Sequence, residues 1–329
     1  MRCLALAQAW QDAGGRVVLA WSEMPELLVD RLQSEGLHPT RVHATPGSPS
    51  DAGQTQQLAH EAAAGWVVTD GYHFDDSYHQ LLRMDGIRLM AIDDMAHLKN
   101  YPVDILLNQN LGATRERYAD KVGFSTKLLL GPRFCLLRRE FRVLQGWTRP
   151  HAREPLRLMV TFGGSDPENA TGLVLQALAR DRMDRIHVVV LVGSANQHVE
   201  TLRQLAASSP FPCDIRVNVG NVAEVMAWAD VAISAAGSTV WELATMKLPA
   251  LVGALADNQI AGLEALRTIA LFRVGLASEL FTSNLTTAIR AHLHSLEGLD
   301  LNAPSVRNGV DANGGARVVD AVLQFFPLR

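Results

Sequence analysis

The chain has 329 residues, 48% hydrophobic and 19% charged, with a formal net charge of −4 and a sequence pI near 6.3. That length suits two domains of about 150 residues, and the composition excludes disordered and collagen-like chains. The slight acidity gives no electrostatic footprint for nucleic acid or an anionic membrane surface, so no nucleic-acid or membrane partner is expected.

The longest apolar runs, at 127–131 and 187–193, fall far short of a bilayer span. Cys3, Cys135 and Cys213 are too scattered for a disulfide framework or a zinc spacing, which points to the reducing cytoplasm. In chain order, residues 1–14 read as a helix stopped by Gly14-Gly15, and a strand follows over 17–21. Strands are expected over 66–69, 87–92, 105–107 and 128–130, with a helix over 77–84. A polar patch over 145–155, with two prolines, two arginines and a tryptophan, is expected to carry the junction between an N-terminal domain, 1–150, and a C-terminal domain, 151–329.

The pattern restarts after that patch. Strands are expected over 156–162, 187–192, 215–219, 231–234 and 249–252, separated by helices over 169–180, 199–207, 222–229 and 240–246. Alternation of this kind argues for parallel α/β layering, here two doubly wound domains facing a central cleft. Such a domain normally opens with a strand, yet residue 1 already lies in a helix, so the first strand of the N-terminal domain is expected to be missing. Ligands of such sheets bind beyond the carboxyl ends of the strands, which directs attention to the loops there.

Strand 156–162 runs into Gly163-Gly164-Ser165-Asp166-Pro167. Two glycines admit a close backbone approach, and a Ser hydroxyl with helix N-terminal amides suits a phosphate oxygen. A plain turn with Asp166 as N-cap and Pro167 at the first helical position accounts for the same residues. Ser234-Ala235-Ala236-Gly237-Ser238-Thr239 forms a second candidate anion cradle. Glu242, one turn further, suits the diol of a ribose, or else a capping box with Thr239. Asp257-Asn258-Gln259 puts a carboxylate and two amides at one helix start, more than capping needs. In the N-terminal half, Asp70-Gly71-Tyr72-His73, Asp93-Asp94 and Asn108-Gln109-Asn110 close their strands at one sheet edge. Tyr72 and His73 suit a sugar, and Asp93 and Asp94 suit capping of a following helix. No His or Glu stands at metal-ligand spacing beside the paired aspartates, so no metal is expected. Tyr118, Phe141 and the tryptophans are scattered, as core or surface residues would be.

Taken together, Thr161–Asn169, Ala236–Glu242 and Asp257–Gln259 resemble the hydrolase family of pseudaminic acid (nonulosonic acid) biosynthesis, which cleaves UDP-2,4-diacetamido-2,4,6-trideoxy-β-L-altropyranose to UDP and free sugar. Asp70-Gly71-Tyr72, Ile92-Asp93-Asp94, Leu107–Asn110, Leu130-Gly131-Pro132 and the tail around Asp311, Gly314, Gly315 and Arg317 extend the resemblance over nearly the whole chain. The resemblance implies a GT-B-type fold of two Rossmann-like domains, similar to the lipid II-forming N-acetylglucosaminyltransferase. It implies no cofactor, and UDP and a UDP-sugar as the ligands of a cytoplasmic monomer or weak dimer.

By that resemblance Gly163, Gly164, Ser165, Asp166, Gly237, Ser238 and Thr239 hold the diphosphate, Glu242 the ribose, and the backbone near Val219 the uracil. Asn258 and Gln259 meet the hexose, and Tyr72 and Asn258 from opposite domains serve the chemistry. The family opens with a Gly-x-Gly-His-x-x-Arg loop whose histidine is the base. Arg2 matches its arginine, which places the histidine two positions before Met1, with His73 as the substitute within this chain. A glycosyltransferase on the same fold and a catalytically dead nucleotide-sugar binding module are the rival readings.

Overall fold

The computed structural model describes residues 1–24, 26–83, 86–183, 185–260, 262–281, 284–307 and 309–325. The chain divides into two compact units, Met1–Arg139 with Ala312–Arg329, and Glu140–Asp311. Among the described residues no helix is long and apolar enough to cross a membrane.

The first unit opens with the helix Arg2–Asp12. Strands β1 (Leu19–Trp21) and β2 (Pro39–Arg41) pair in parallel, and β3 (Trp66–Asp70), β4 (Arg88–Ile92), β5 (Ile105–Asn108) and β6 (Lys127–Leu130) form a parallel four-stranded sheet in that order. β4 and β5 are nearly continuous apolar runs because helices or loops cover both faces of the sheet. On one face Met90, Ile92, Ile105 and Leu107 pack with Ala5, Leu6 and Ala9 of the first helix and Val318, Val319 and Val322 of the helix Gly314–Leu323. On the other, Leu89, Ala91 and Leu106 meet Tyr78, Leu82, Tyr101 and Tyr118. The alternation along each strand sorts these two sets.

The second unit carries β7 (Leu156–Thr161), β8 (Ile186–Val192), β9 (Cys213–Val217), β10 (Val231–Ala235), β11 (Ala250–Ala254) and β12 (Phe272–Leu276) in one parallel sheet, ordered β12-β11-β10-β7-β8-β9. The chain winds outward from β7 to β9, then returns to the other side of β7 and winds outward again to β12. The strand order therefore reverses between β7 and β10, where a doubly wound sheet opens a crevice at its carboxyl ends.

Two expected boundaries change. The junction lies at 139/140 rather than 150/151, and the last helix rejoins the first unit. Gly314 explains the second change: a Cβ there would lie 2.6 Å from the backbone nitrogen of Cys135, so only glycine lets this helix close on the segment after β6. The polar patch 145–155 is not a loose linker either. Arg149 is buried and donates to the carbonyls of Ala229 at 2.5 Å, Met226 at 2.8 Å and Met246 at 2.9 and 3.0 Å. These carbonyls end the helices Val222–Trp228 and Thr239–Thr245, where a cation complements the helix dipole. Burial pushes the Arg149 guanidinium down to about 9, against the pull of Asp230.

Candidate functional site

The loops after β7 and β10 leave neighbouring strands at the reversal point. Gly163, Gly164 and Ser165 are exposed, and space is open where a Cβ would stand on Gly163, Gly164 or Gly237. Asp166 differs from its neighbours. Its side chain is buried, its φ is +43°, and its carboxylate accepts from Ala170 N at 2.8 Å, Thr171 N at 3.0 Å and Thr171 Oγ1 at 2.6 Å. Asp166 thus ties the loop to the helix Ala170–Arg180, but Asn169, not Asp166, is that helix's N-cap, accepting from Gly172 N at 3.2 Å. Pro167 accordingly stands outside the helix rather than at its first position.

The second loop corrects a competing explanation of Glu242. Ser238, not Thr239, is the N-cap of the helix Thr239–Thr245, and no side chain caps it, so Glu242 falls outside capping-box spacing. Glu242 is half-buried on that helix. Val219 lies in the loop after β9 and is half-buried. Gln259 sits in the short helix Asp257–Ile260 after β11, its Oε1 accepting from Leu255 N at 2.9 Å. Asn258 belongs to the same helix, and its side chain lies outside the described residues. Along the edge of this sheet the candidate loops therefore run in the order Asn258–Gln259, Gly237–Thr239, Gly163–Asp166, Val219.

In the first unit the paired aspartates divide their roles. Asp93 is buried and accepts from Ala96 N at 2.7 Å, Tyr101 OH at 2.9 Å and Tyr118 OH at 2.6 Å. Burial, and then this carboxylate, raise both phenols above their ordinary range. No helix follows β4 for the aspartates to cap. Asn108 and Gln109 are also buried, in bonds to Tyr118 OH at 2.7 Å and from Leu136 N at 3.0 Å. These residues build the sheet edge from below.

Asp94 faces outward. It accepts from Arg2 Nη1 at 2.6 and 2.8 Å, Asn110 Nδ2 at 2.9 Å and Tyr72 OH at 3.2 Å. Arg2 also donates to Asp70 from Nη2 at 2.6 Å and Nε at 3.3 Å. Burial works against its charge, but the two carboxylates outweigh it and raise the Arg2 pKa. Arg2 is thereby engaged within its own unit. Tyr72 is 54% exposed, and His73 is exposed with its ring edge-on to Phe74. Sequence reasoning singled out neither Asn110 nor Asp94 over its neighbours, because nothing in a polar run says which member points inward.

Residues 158–259, within the second unit, match the glycosyltransferase family 28 C-terminal domain. The chain is 28% identical over 193 residues to the uncharacterized protein MJ1062 of Methanocaldococcus jannaschii, covering 56% of this chain and 39% of that protein. It is 25% identical over 210 residues, covering 63% of this chain and 37% of the other, to the Helicobacter pylori protein named pseudaminic acid cytidylyltransferase and UDP-2,4-diacetamido-2,4,6-trideoxy-beta-L-altropyranose hydrolase. The chain spans about two fifths of the length of these curated relatives. Among solved structures, MurG of Acinetobacter baumannii aligns with a TM-score of 0.63 at 18% identity, covering 99% of this chain and 96% of that one. The fold is thus a GT-B-type α/β fold with parallel sheets.

Proposed function

We propose that the chain is a hydrolase that removes UDP from a UDP-linked 2,4-diacetamido-2,4,6-trideoxyhexose. The observation that carries this reading is the order of the loops along the second sheet. The residues that the resemblance assigns to hexose, diphosphate and uracil follow one another across β11, β10, β7 and β9, the order of the groups in a UDP-sugar. Four strand spacings bridge β11 to β9, about 19 Å. The family 28 match over 158–259 supports nucleotide-sugar handling by these loops, and the name of the Helicobacter pylori relative supports this substrate.

In this reading Gly163, Gly164, Ser165, Gly237, Ser238 and Thr239 receive the diphosphate, Glu242 the ribose, Asn258 and Gln259 the hexose, and Tyr72 assists at the sugar. Water attacks the anomeric carbon as the bond from that carbon to the β-phosphate oxygen breaks. The bonding pair leaves on UDP, and the water proton passes to a base, His73 being the candidate within this chain. UDP is already a good leaving group, so backbone amides suffice to stabilise its charge without a metal or a general acid. Asp166 contributes through loop geometry, since its carboxylate is spent on the following helix.

A glycosyltransferase is the second reading, favoured by the family 28 match itself. Separating the products of a UDP-diacetamidohexose incubation decides between them. Free sugar and UDP, with the same yield in EDTA, are expected; a glycosylated acceptor with no free sugar would establish the second reading.

A further inference from the structure

The loop after β8 is not among the residues expected to meet a ligand, yet it presses directly on the Gly163–Asp166 loop. A Cβ on Gly193 would lie 2.5 Å from both the carbonyl oxygen of Gly163 and the Cα of Gly164, with the carbonyl oxygen of Gly164 also in the way. Real side chains do not approach backbone so closely, so this contact exists only because residue 193 is glycine. Two residues on, Ala195 N donates to Gly164 O at 3.1 Å. His198 Nε2 lies 3.2 Å from Pro167 O, and the His198 backbone N–H is fixed by Asn196 Oδ1 at 2.7 Å.

The loop after β7 is therefore held from two sides. Gly193, Ala195 and His198 grip it from the neighbouring strand, and the buried Asp166 carboxylate ties it to its own helix. Gly163 has φ +82°, which glycine adopts readily, and Asp166 has φ +43°, a conformation that a non-glycine residue visits rarely. On the opposite side, space is open at Gly163 and Gly164.

We infer that Gly193 and Ala195 are positioning residues for the diphosphate, holding the backbone of Gly163–Ser165 in its receptive arrangement before any ligand arrives. The inference rests on the reading that a diphosphate lies at this loop. Preorganisation shifts the ordering cost from binding to folding, so the brace raises affinity without touching the ligand. It acts only on phosphate contacts. Base and ribose contacts, proposed near Val219 and Glu242, lie on other loops.

The test is calorimetric titration of the full chain with UDP, UMP and uridine, for the wild type, Gly193→Ala and His198→Ala. The added methyl of Gly193→Ala displaces the loop, so UDP affinity is expected to fall at least tenfold and UMP less, with uridine changed less than twofold. His198→Ala removes only the outer link, so a threefold loss for UDP and none for uridine is expected. It decides the matter alone if Gly193→Ala fails to fold. Equal losses for UDP and uridine, or an unchanged UDP affinity in a folded variant, overturn the brace and leave the functional reading standing. A wild type that does not bind UDP removes both.

Discussion

The loops that close β7 and β10 and the loops that close β3, β4 and β5 end parallel strands in the same way, but they offer different groups to a ligand. In the second unit glycines and small hydroxyl residues leave backbone accessible, and the acidic Asp166 is folded inward on its helix. In the first unit the edge is made of side chains bound to one another, with Arg2 shared between Asp70 and Asp94. The Arg2 guanidinium is thereby spent on the two carboxylates. The first arrangement suits a diphosphate; in the second the cation is already engaged, and hydroxyl and amide groups such as those of Tyr72 and Asn110 make up the edge. A strand-end loop in this fold is thus informative through what its side chains are already doing, not through its polarity.

The largest effect is expected at Asp93. Asp93→Ala takes the buried acceptor away from two tyrosine hydroxyls and a backbone N–H, and should destabilise the chain by about 3 kcal/mol in urea unfolding. A loss under about 1 kcal/mol would mean that the first edge is not built from below. Arg2→Met is next. Its partners Asp70 and Asp94 are only partly exposed, at 15% and 19%, so the unpaired carboxylates should cost about 2.5 kcal/mol. UDP affinity should stay unchanged, and a loss would mean that Arg2 also serves the nucleotide.

In the second unit, Glu242→Ala should act on nucleotide binding. In the proposed reading Glu242 holds the ribose, so UDP should weaken by about 2 kcal/mol, roughly thirtyfold. An unaltered dissociation constant would free Glu242 of the ribose.

Acid should act on both units alike and least strongly. His79 in the first and His292 in the second are buried, and burial lowers the pKa of each below 6.5. Above pH 6.5 both are neutral in folded and unfolded chains, so neither costs stability. Below it the unfolded chain takes up protons that the folded chain refuses, and stability falls by up to about 1.4 kcal/mol per pH unit for each histidine until the folded pKa is reached. Unfolding at pH 7.5 and 5.5 measures this, and His79→Gln should remove one share of the slope.

Many of the strands were legible from residues. The runs that became β4, β5, β7, β8, β10 and β11 are apolar enough to be buried on both faces, and each lies within two residues of its expected bounds at either end. β12 was not anticipated, because Arg273 and Gly275 interrupt its short run at the sheet edge. The return of the last helix was hidden as well, since Gly314 matters only through contact with residues nearly 180 positions earlier. Within the candidate site, the glycine loops were visible as composition. What composition could not carry was direction: that Asp93 points inward and Asp94 outward, that Asp166 turns on its helix, and that Gly193 touches a loop one strand away.

The central claim is that the second unit's strand-end loops bind the diphosphate of UDP. Thermal unfolding with and without nucleotide tests it directly. UDP at a hundredfold excess over its dissociation constant should stabilise the chain by about 2.7 kcal/mol and raise the midpoint accordingly, with UMP weaker and uridine weaker still. No shift with UDP or UMP, alongside a clear shift with another nucleotide, would contradict the account.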